Sequence, residues 1–340
     1  MDALPSELIS YIFDFIHAPS ALSNAMLVNT HWYIHGARNL HHRVKLRLSP
    51  GLTTSSSDTI IIFMKRLVAS TLSTAHLIHH LSISGITSFD VQSLILTILE
   101  RATAIRSLDV HELRLPQGEL HIPPDCCTSS AFLPNLMALN VHSVQLYSSL
   151  CGIRRLSMIR IHHPIDEPPL RMLVLPTSPL VTALQRLQLV IAVADCSNVV
   201  TSVASLASAL EAAPLCSLGL QFVLDSPGPV SWAEFEDTVI EMGPSLRRLT
   251  QLQALGLVVR PDPIIPLQAG VTAGDQLREA VTKTLAERLL AENGLDQLVR
   301  MELRWHGWVI RGGTWISLAR TQMLRMPWIW PLQELGAVSC

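Results

Sequence analysis

Apolar positions along this chain follow a helical period at first and a strand period later. In about the first forty residues, Leu8, Ile12, Phe13 and Ile16 recur at helical spacing, and Phe15 widens the apolar face. Pro5 suits the first turn of such a helix, where its missing N–H is no loss. Pro19-Ser20 punctuates the run; Ser20 is placed to cap a second short helix reaching Val28, and Asn29 or Thr30 a third that carries Trp32 and Ala37. Three short helices cannot enclose a sufficient core alone. The pattern therefore predicts that another surface covers them, either a second chain or the downstream domain, on which they would sit as an amphipathic cap.

Further along, the pattern Leu-x-x-Leu-x-Leu, with Ile, Val and Met as variants, recurs eight times, beginning at Ile78, Ile105, Leu136, Leu156, Leu184, Leu215, Leu252 and Leu298. The intervals are 27, 31, 20, 28, 31, 37 and 46 residues. Alternation over each last triplet predicts a strand with one face in and one out. Helical patterns lie between several of them: Ser88 to Leu99, Ser197 to Ala213, the Ser231-to-Glu234 capping box ahead of Phe235, and Thr272 to Glu292 with Gly294 as stop. Strand, loop and helix recurring about every thirty residues resemble a leucine-rich-repeat solenoid of parallel strands. The Asn or Cys usual three positions after the last Leu is replaced by Ile86, Leu113, Val144, Pro164, Ala192, Val223, Arg260 and His306, so the array is expected to be irregular. A plain doubly wound α/β domain is the alternative.

Alternation also sets which strand residues point away from the repeat core: Ser82, Ser84, Asp109, His111, Asn140, His142, Arg160, His162, Gln188, Gln221, Glu302 and Arg304. Stacked parallel strands would gather them on one concave sheet. Asp109, His111, Asn140, His142, Arg160, His162, Glu302 and Arg304 are the candidate target-binding residues, against the plainer reading that they are only solvated. Proline-rich stretches at 114–134, 164–179 and 261–266 read as surface loops, either recognition loops or spacers. Five of the seven tryptophans, Trp305, Trp308, Trp315, Trp328 and Trp330, crowd into the last 36 residues. They predict a cap on the array's open end, with Trp305 facing inward beside Leu303 and Trp315 opening a short helix; an aromatic ligand platform is the rival.

The first fifty residues carry a second resemblance. Leu4-Pro5, Glu7-Leu8, Ile12-Phe13, Leu22, Leu27-Val28 and Trp32 stand in the order and spacing of an F-box. One position departs from it: Leu40 is followed by His41 where the family usually shows Trp or Tyr. The resemblance implies that Leu4, Pro5, Leu8, Ile12, Phe13, Leu22, Leu27, Val28 and Trp32 bind a Skp-type adaptor and, through it, a cullin. Together with the repeats, the chain is similar to F-box proteins of mushroom-forming fungi, substrate adaptors of ubiquitin ligases whose solenoid holds a target protein. A protein-binding scaffold without ubiquitin-ligase association remains the alternative.

Composition adds limits. Charged residues make up 15% of the chain against a usual value of about 25%, and mean hydropathy is +0.34, which suits a large core or a surface that partners cover. A net charge of −2 argues against a general nucleic-acid binder. With Asp2, Glu7 and Asp14 where a secretory signal needs positive charge, and Pro19 breaking the run, no such signal is expected, and no run is long and apolar enough for a membrane span. The six cysteines lack Cys-x-x-Cys spacing, so free thiols in a cytoplasmic or nuclear compartment are expected. No phosphate-binding Gly-rich loop, nucleophile elbow or His-Glu-x-x-His helix occurs. His31/His35, His76/His79/His80, His41-His42 and His162-His163 lack a further ligand at compatible spacing. No metal, no cofactor and no catalysis by this chain are expected.

The predicted architecture is α/β: an F-box-like helical domain at 1–48, a linker helix and N-terminal cap at 49–75, the irregular solenoid at 76–304, and the Trp-rich cap at 305–340.

Overall fold

The computed structural model describes residues 5–16, 19–48, 54–69, 74–86, 89–115, 118, 120–151, 155–166, 182–225, 228, 230–261, 263, 275–303 and 306–318. The chain is mixed α/β with mostly parallel strands, and it divides into two compact units, Met1–Arg154 and Arg155–Cys340. Leu4, Arg304, Trp305, Trp328 and Trp330 lie outside the described residues.

The first unit opens with α1 (Ser6–Asp14), α2 (Pro19–Met26) and α3 (Thr30–His42). Asn29 caps α3 by accepting a hydrogen bond from the Trp32 backbone N–H at 2.8 Å. The chain then runs directly into β1 (Arg43–Leu48), followed by α4 (Thr54–Ala69), a 3-10 turn (Thr74–Leu77), β2 (His80–Ile86), α5 (Phe89–Arg101), β3 (Ser107–Asp109), β4 (Leu113–Arg114), α6 (Pro124–Thr128), β5 (Ala138–Val141) and α7 (Val144–Cys151). Strands β1, β2, β3 and β5 are parallel neighbours in that order, and β4 pairs with β2. Their register lines up Val44, Leu81, Leu108 and Leu139 as one buried row.

Strand β1 lies inside the stretch expected to be helical. In register it occupies the place of one more repeat, His41-x-x-Val44-x-Leu46. His41 stands where the repeat has Leu, which hid the strand; its ring instead stacks on Phe63 of α4, with centroids 6.2 Å apart. Gly85 of β2 has φ +100°, and a Cβ there would sit 1.7 Å from the Leu48 carbonyl oxygen. Only glycine lets β2 pass β1 so closely.

The second unit holds β6 (Met158–Ile161), β7 (Arg186–Val193), α8 (Cys196–Leu210), β8 (Ser217–Leu224), α9 (Trp232–Leu246), β9 (Ala254–Arg260), α10 (Asp275–Asn293), β10 (Arg300–Leu303), β11 (His306–Arg311) and β12 (Thr314–Ser317). Strands β6 to β10 are parallel neighbours in chain order. Ile159, Leu187, Leu218, Leu255 and Met301 form one buried row, and Leu189, Leu220, Leu257 and Leu303 the next. Asp195 and Ser231 cap α8 and α9, each accepting from a backbone N–H three residues on.

One backbone bond recurs at the same point of the repeats. The residue after the first Leu of the pattern donates its N–H to the carbonyl one repeat earlier: Arg106 to His79 and Met137 to Arg106 in the first unit, and Gln185 to Ser157, Cys216 to Gln185, Gln253 to Cys216 and Val299 to Gln253 in the second. His79 donates to His42 in the same way. The first-position residues, Ile78 to Leu298, are all buried. Uneven helices and loops between them account for the irregular intervals without disturbing this ladder.

At the end of the second unit the strands turn antiparallel. Gly312 and Gly313, both at positive φ, make the two-residue turn between β11 and β12. Trp308 is buried opposite Met301, with Trp315 edge-on to it at 5.9 Å. Trp315 belongs to strand β12, not to a short helix as its spacing had suggested. Alternation of Trp315 with exposed Thr314 and Ile316, set by pairing to β11, overrides the weak helical pattern.

Candidate binding surfaces

Helix α1 has two apolar faces with different roles. Ile9, Phe13 and Ile16 turn inward and meet Leu22, Ala25, Trp32 and Leu40 in a small closed core, where Phe13 is 1% exposed and packs edge-on to Trp32 at 5.7 Å. Gly36 allows this closeness, because a Cβ there would fall 2.3 Å from Met26 Cγ and 2.9 Å from Phe13 Cε1. Ser10 Oγ and His35 Nδ1 lie 2.7 Å apart and tie α1 to α3.

The other face is open. Leu8, Tyr11 and Ile12 are exposed on α1, Phe15 just past its end, Leu27 and Val28 after α2, and Tyr33 and Ile34 on α3; Leu27 is 83% exposed and Phe15 63%. Of the residues the F-box resemblance points to, Pro5, Leu8, Ile12, Leu27 and Val28 are therefore outside, Phe13 and Leu22 are inside the core, and Trp32 is half-buried against it. Tyr11, Phe15, Tyr33 and Ile34 lie outside the F-box positions, although Tyr11 and Phe15 follow Leu8 at the three- and four-residue steps of one helix face.

On the sheet of the first unit, the outward row runs Lys45, Ser82, Asp109, Asn140. Asn140 is buried, and its Nδ2 donates to Asp109 Oδ1 at 3.0 Å. The same Asp109 oxygen lies 2.7 Å from His111 Nδ1, and Ser82 Oγ donates to Asp109 Oδ2 at 3.4 Å. His111 Nε2 is 3.5 Å from Glu112 Oε1. Asp109, His111 and Asn140 thus form one bonded cluster, while His142 lies half-buried after β5. In the second unit the corresponding row is Arg160, Gln188, Gly219, Gly256, Glu302. Burial pushes the Glu302 carboxyl up, against the opposing pull of Arg300, whose Nε donates to Glu302 Oε1 at 3.0 Å. His162 is half-buried beyond β6.

Where α3 meets β1, the imidazoles of His42, His79 and His80 gather. His42 stacks on His79 with centroids 4.5 Å apart and meets His80 at 5.2 Å. Burial, then mutual repulsion and the nearby guanidinium groups, lowers His42 and His80 to about 4. His79 is lowered by burial, Arg106 and Arg38, and His41 by burial.

Among the described residues, no group of three His, Cys, Asp or Glu side chains is arranged to hold a metal ion, and no helix is long and apolar enough to cross a membrane. Cys126, Cys196 and Cys216 are free thiols; burial and then Glu234 raise Cys196. No protein-family model matches the chain, and a search of curated proteins returns no match either.

Proposed function

We propose that this chain is the substrate-recognition adaptor of a Skp–cullin–F-box ubiquitin ligase, with α1–α3 as the F-box and the strand–helix repeats as a leucine-rich-repeat-like solenoid that holds a target. The observation that carries the reading is the two-sidedness of α1. Its inner face closes a core with α2 and α3, yet Leu8, Ile12 and Phe15 stand exposed, as do Leu27 and Val28 after α2. Exposed apolar side chains in this number on three short helices suit a protein–protein contact. Each large side chain fully buried there contributes roughly 1.5–3 kcal/mol. In this reading Phe13, Leu22 and Trp32 shape the docking surface from within, and ubiquitin transfer belongs to the partner subunits.

The test is co-expression with a Skp adaptor. The full chain is expected to co-purify with it, and Leu8→Ala/Ile12→Ala/Leu27→Ala to lose capture while keeping its circular dichroism. Equal capture by variant and wild type refutes the assignment of this face. A wild type that captures no adaptor leaves the scaffold reading, in which the repeats bind proteins without the ligase.

A further inference from the structure

Strand β1 reads Arg43-Val44-Lys45-Leu46-Arg47-Leu48, with Val44, Leu46 and Leu48 buried and Arg43, Lys45 and Arg47 exposed. Every outward position of the strand is therefore cationic. Beside them in register lie His80, Ser82 and Ser84 of β2, none of which carries negative charge at neutral pH. Two more cations come from other elements: Arg38 of α3 and Arg106 ahead of β3 are both exposed, and both act on the His42–His79 pair. Among the described residues, no carboxylate pairs with Arg38, Lys45, Arg47 or Arg106. Asp109, the acidic group in the Lys45–Ser82 row, is already engaged by His111 and Asn140. Basic residues often guard an open strand edge against aggregation. That role accounts for β1 but not for Arg38 and Arg106, which gather at the same place from a helix and a loop. In a chain of net charge −2, such a concentration of positive charge selects a negatively charged partner.

The geometry narrows its form. β1 is the terminal strand of its sheet and pairs only with β2 among the described residues. Its three cations recur at every second residue, about 6.6 Å apart. An extended peptide carrying acidic residues at alternate positions presents charge at that same spacing on one side, and an added strand brings its side chains beside those of β1. We propose that the β1 face binds an extended acidic segment of the target, with acidic side chains at alternate positions. The inference rests on reading the repeats as the target-holding part of an adaptor, and it names the chemistry they hold.

Fluorescence anisotropy with the purified full chain tests it using three labelled probes: a peptide with Asp or Glu at alternate positions, the same peptide with phosphoserine at those positions, and a single-stranded oligonucleotide of equal charge. The acidic peptide or its phosphoserine form is expected to bind, and the tighter of the two identifies carboxylate or phosphate as the charge. Lys45→Gln/Arg47→Gln is expected to weaken binding about tenfold, and moderate salt to weaken it further. Lys65→Gln/Arg66→Gln, on the exposed side of α4, is expected to change nothing. No binding of either peptide, equal binding by the β1 variant, or preference for the oligonucleotide overturns the proposal. The milder Lys45→Gln alone, checked by thermal unfolding, separates a lost contact from a lost fold. Adaptor capture is scored on the same preparations, so peptide failure with capture intact overturns this inference and not the adaptor reading.

Discussion

Acidification is expected to weaken the first unit through the histidines at the α3–β1 junction. His42 and His80 are lowered from 6.5 to about 4, chiefly by burial; His79, Arg43, Arg38 and Arg106 add to the effect at His42, and His42, Arg43, His79 and Arg106 at His80. The unfolded chain takes up protons near 6.5, while the folded chain resists until about 4. Between those values the unfolded state holds more protons, so stability rises with pH there and is lost as pH falls from about 6.5 toward 4. For one isolated ring, going from pH 7 to pH 5 would cost about 2 kcal/mol. Both rings are only half-buried, so solvent screening reduces that figure, and they titrate as a pair. A combined loss of about 2 kcal/mol is the expected magnitude. Urea unfolding at half-unit pH steps measures it, with His42→Phe/His80→Gln as the control: Phe keeps a ring against His79, and neither replacement titrates. The variant is expected to lose much less stability over the same interval. A wild type as stable at pH 5 as at pH 7, or a variant that loses as much, refutes the reasoning.

Phe13→Ala is expected to cost about 3–4 kcal/mol by opening the core among α1–α3, whereas Ile12→Ala, one residue away and exposed, should stay within about 0.5 kcal/mol; calorimetry on the two variants separates the faces, and equal costs would contradict the placement. Gly85→Ala forces a Cβ to within 1.7 Å of the Leu48 carbonyl at a left-handed φ, so a loss of at least about 2 kcal/mol is expected in denaturant titration, with faster hydrogen exchange along β1 and β2; an unchanged midpoint would show that β1 does not pass β2 this closely.

Sequence legibility depended on how strongly a position's neighbours constrained it. The repeat Leu positions were readable because a buried row needs an apolar side chain at each register point, and Ile78 through Leu298 all proved buried. The sheet's outward face was readable only as a direction. Alternation put Asn140 among the outward residues, but not the fact that Asp109 and His111 engage it and bury it. Helix α1 shows the opposite difficulty. With apolar residues nearly all round, periodicity could not decide between the Ile9–Phe13–Ile16 face and the Leu8–Ile12–Phe15 face, because either makes an amphipathic stripe. What decides is which side α2 and α3 occupy, and that is fixed by Gly36, whose missing side chain admits Phe13 and Met26. β1 was hidden for a related reason: His41 replaces the Leu that announces each later repeat, and the strand follows α3 without a turn. The charge that gathers there was invisible for the same reason. Arg38, Arg43, Lys45 and Arg47 are close together in the chain, but Arg43, Lys45 and Arg47 share one face, and meet the distant Arg106, only once His41-x-x-Val44-x-Leu46 is recognised as a repeat that begins inside a helix and ends as a strand.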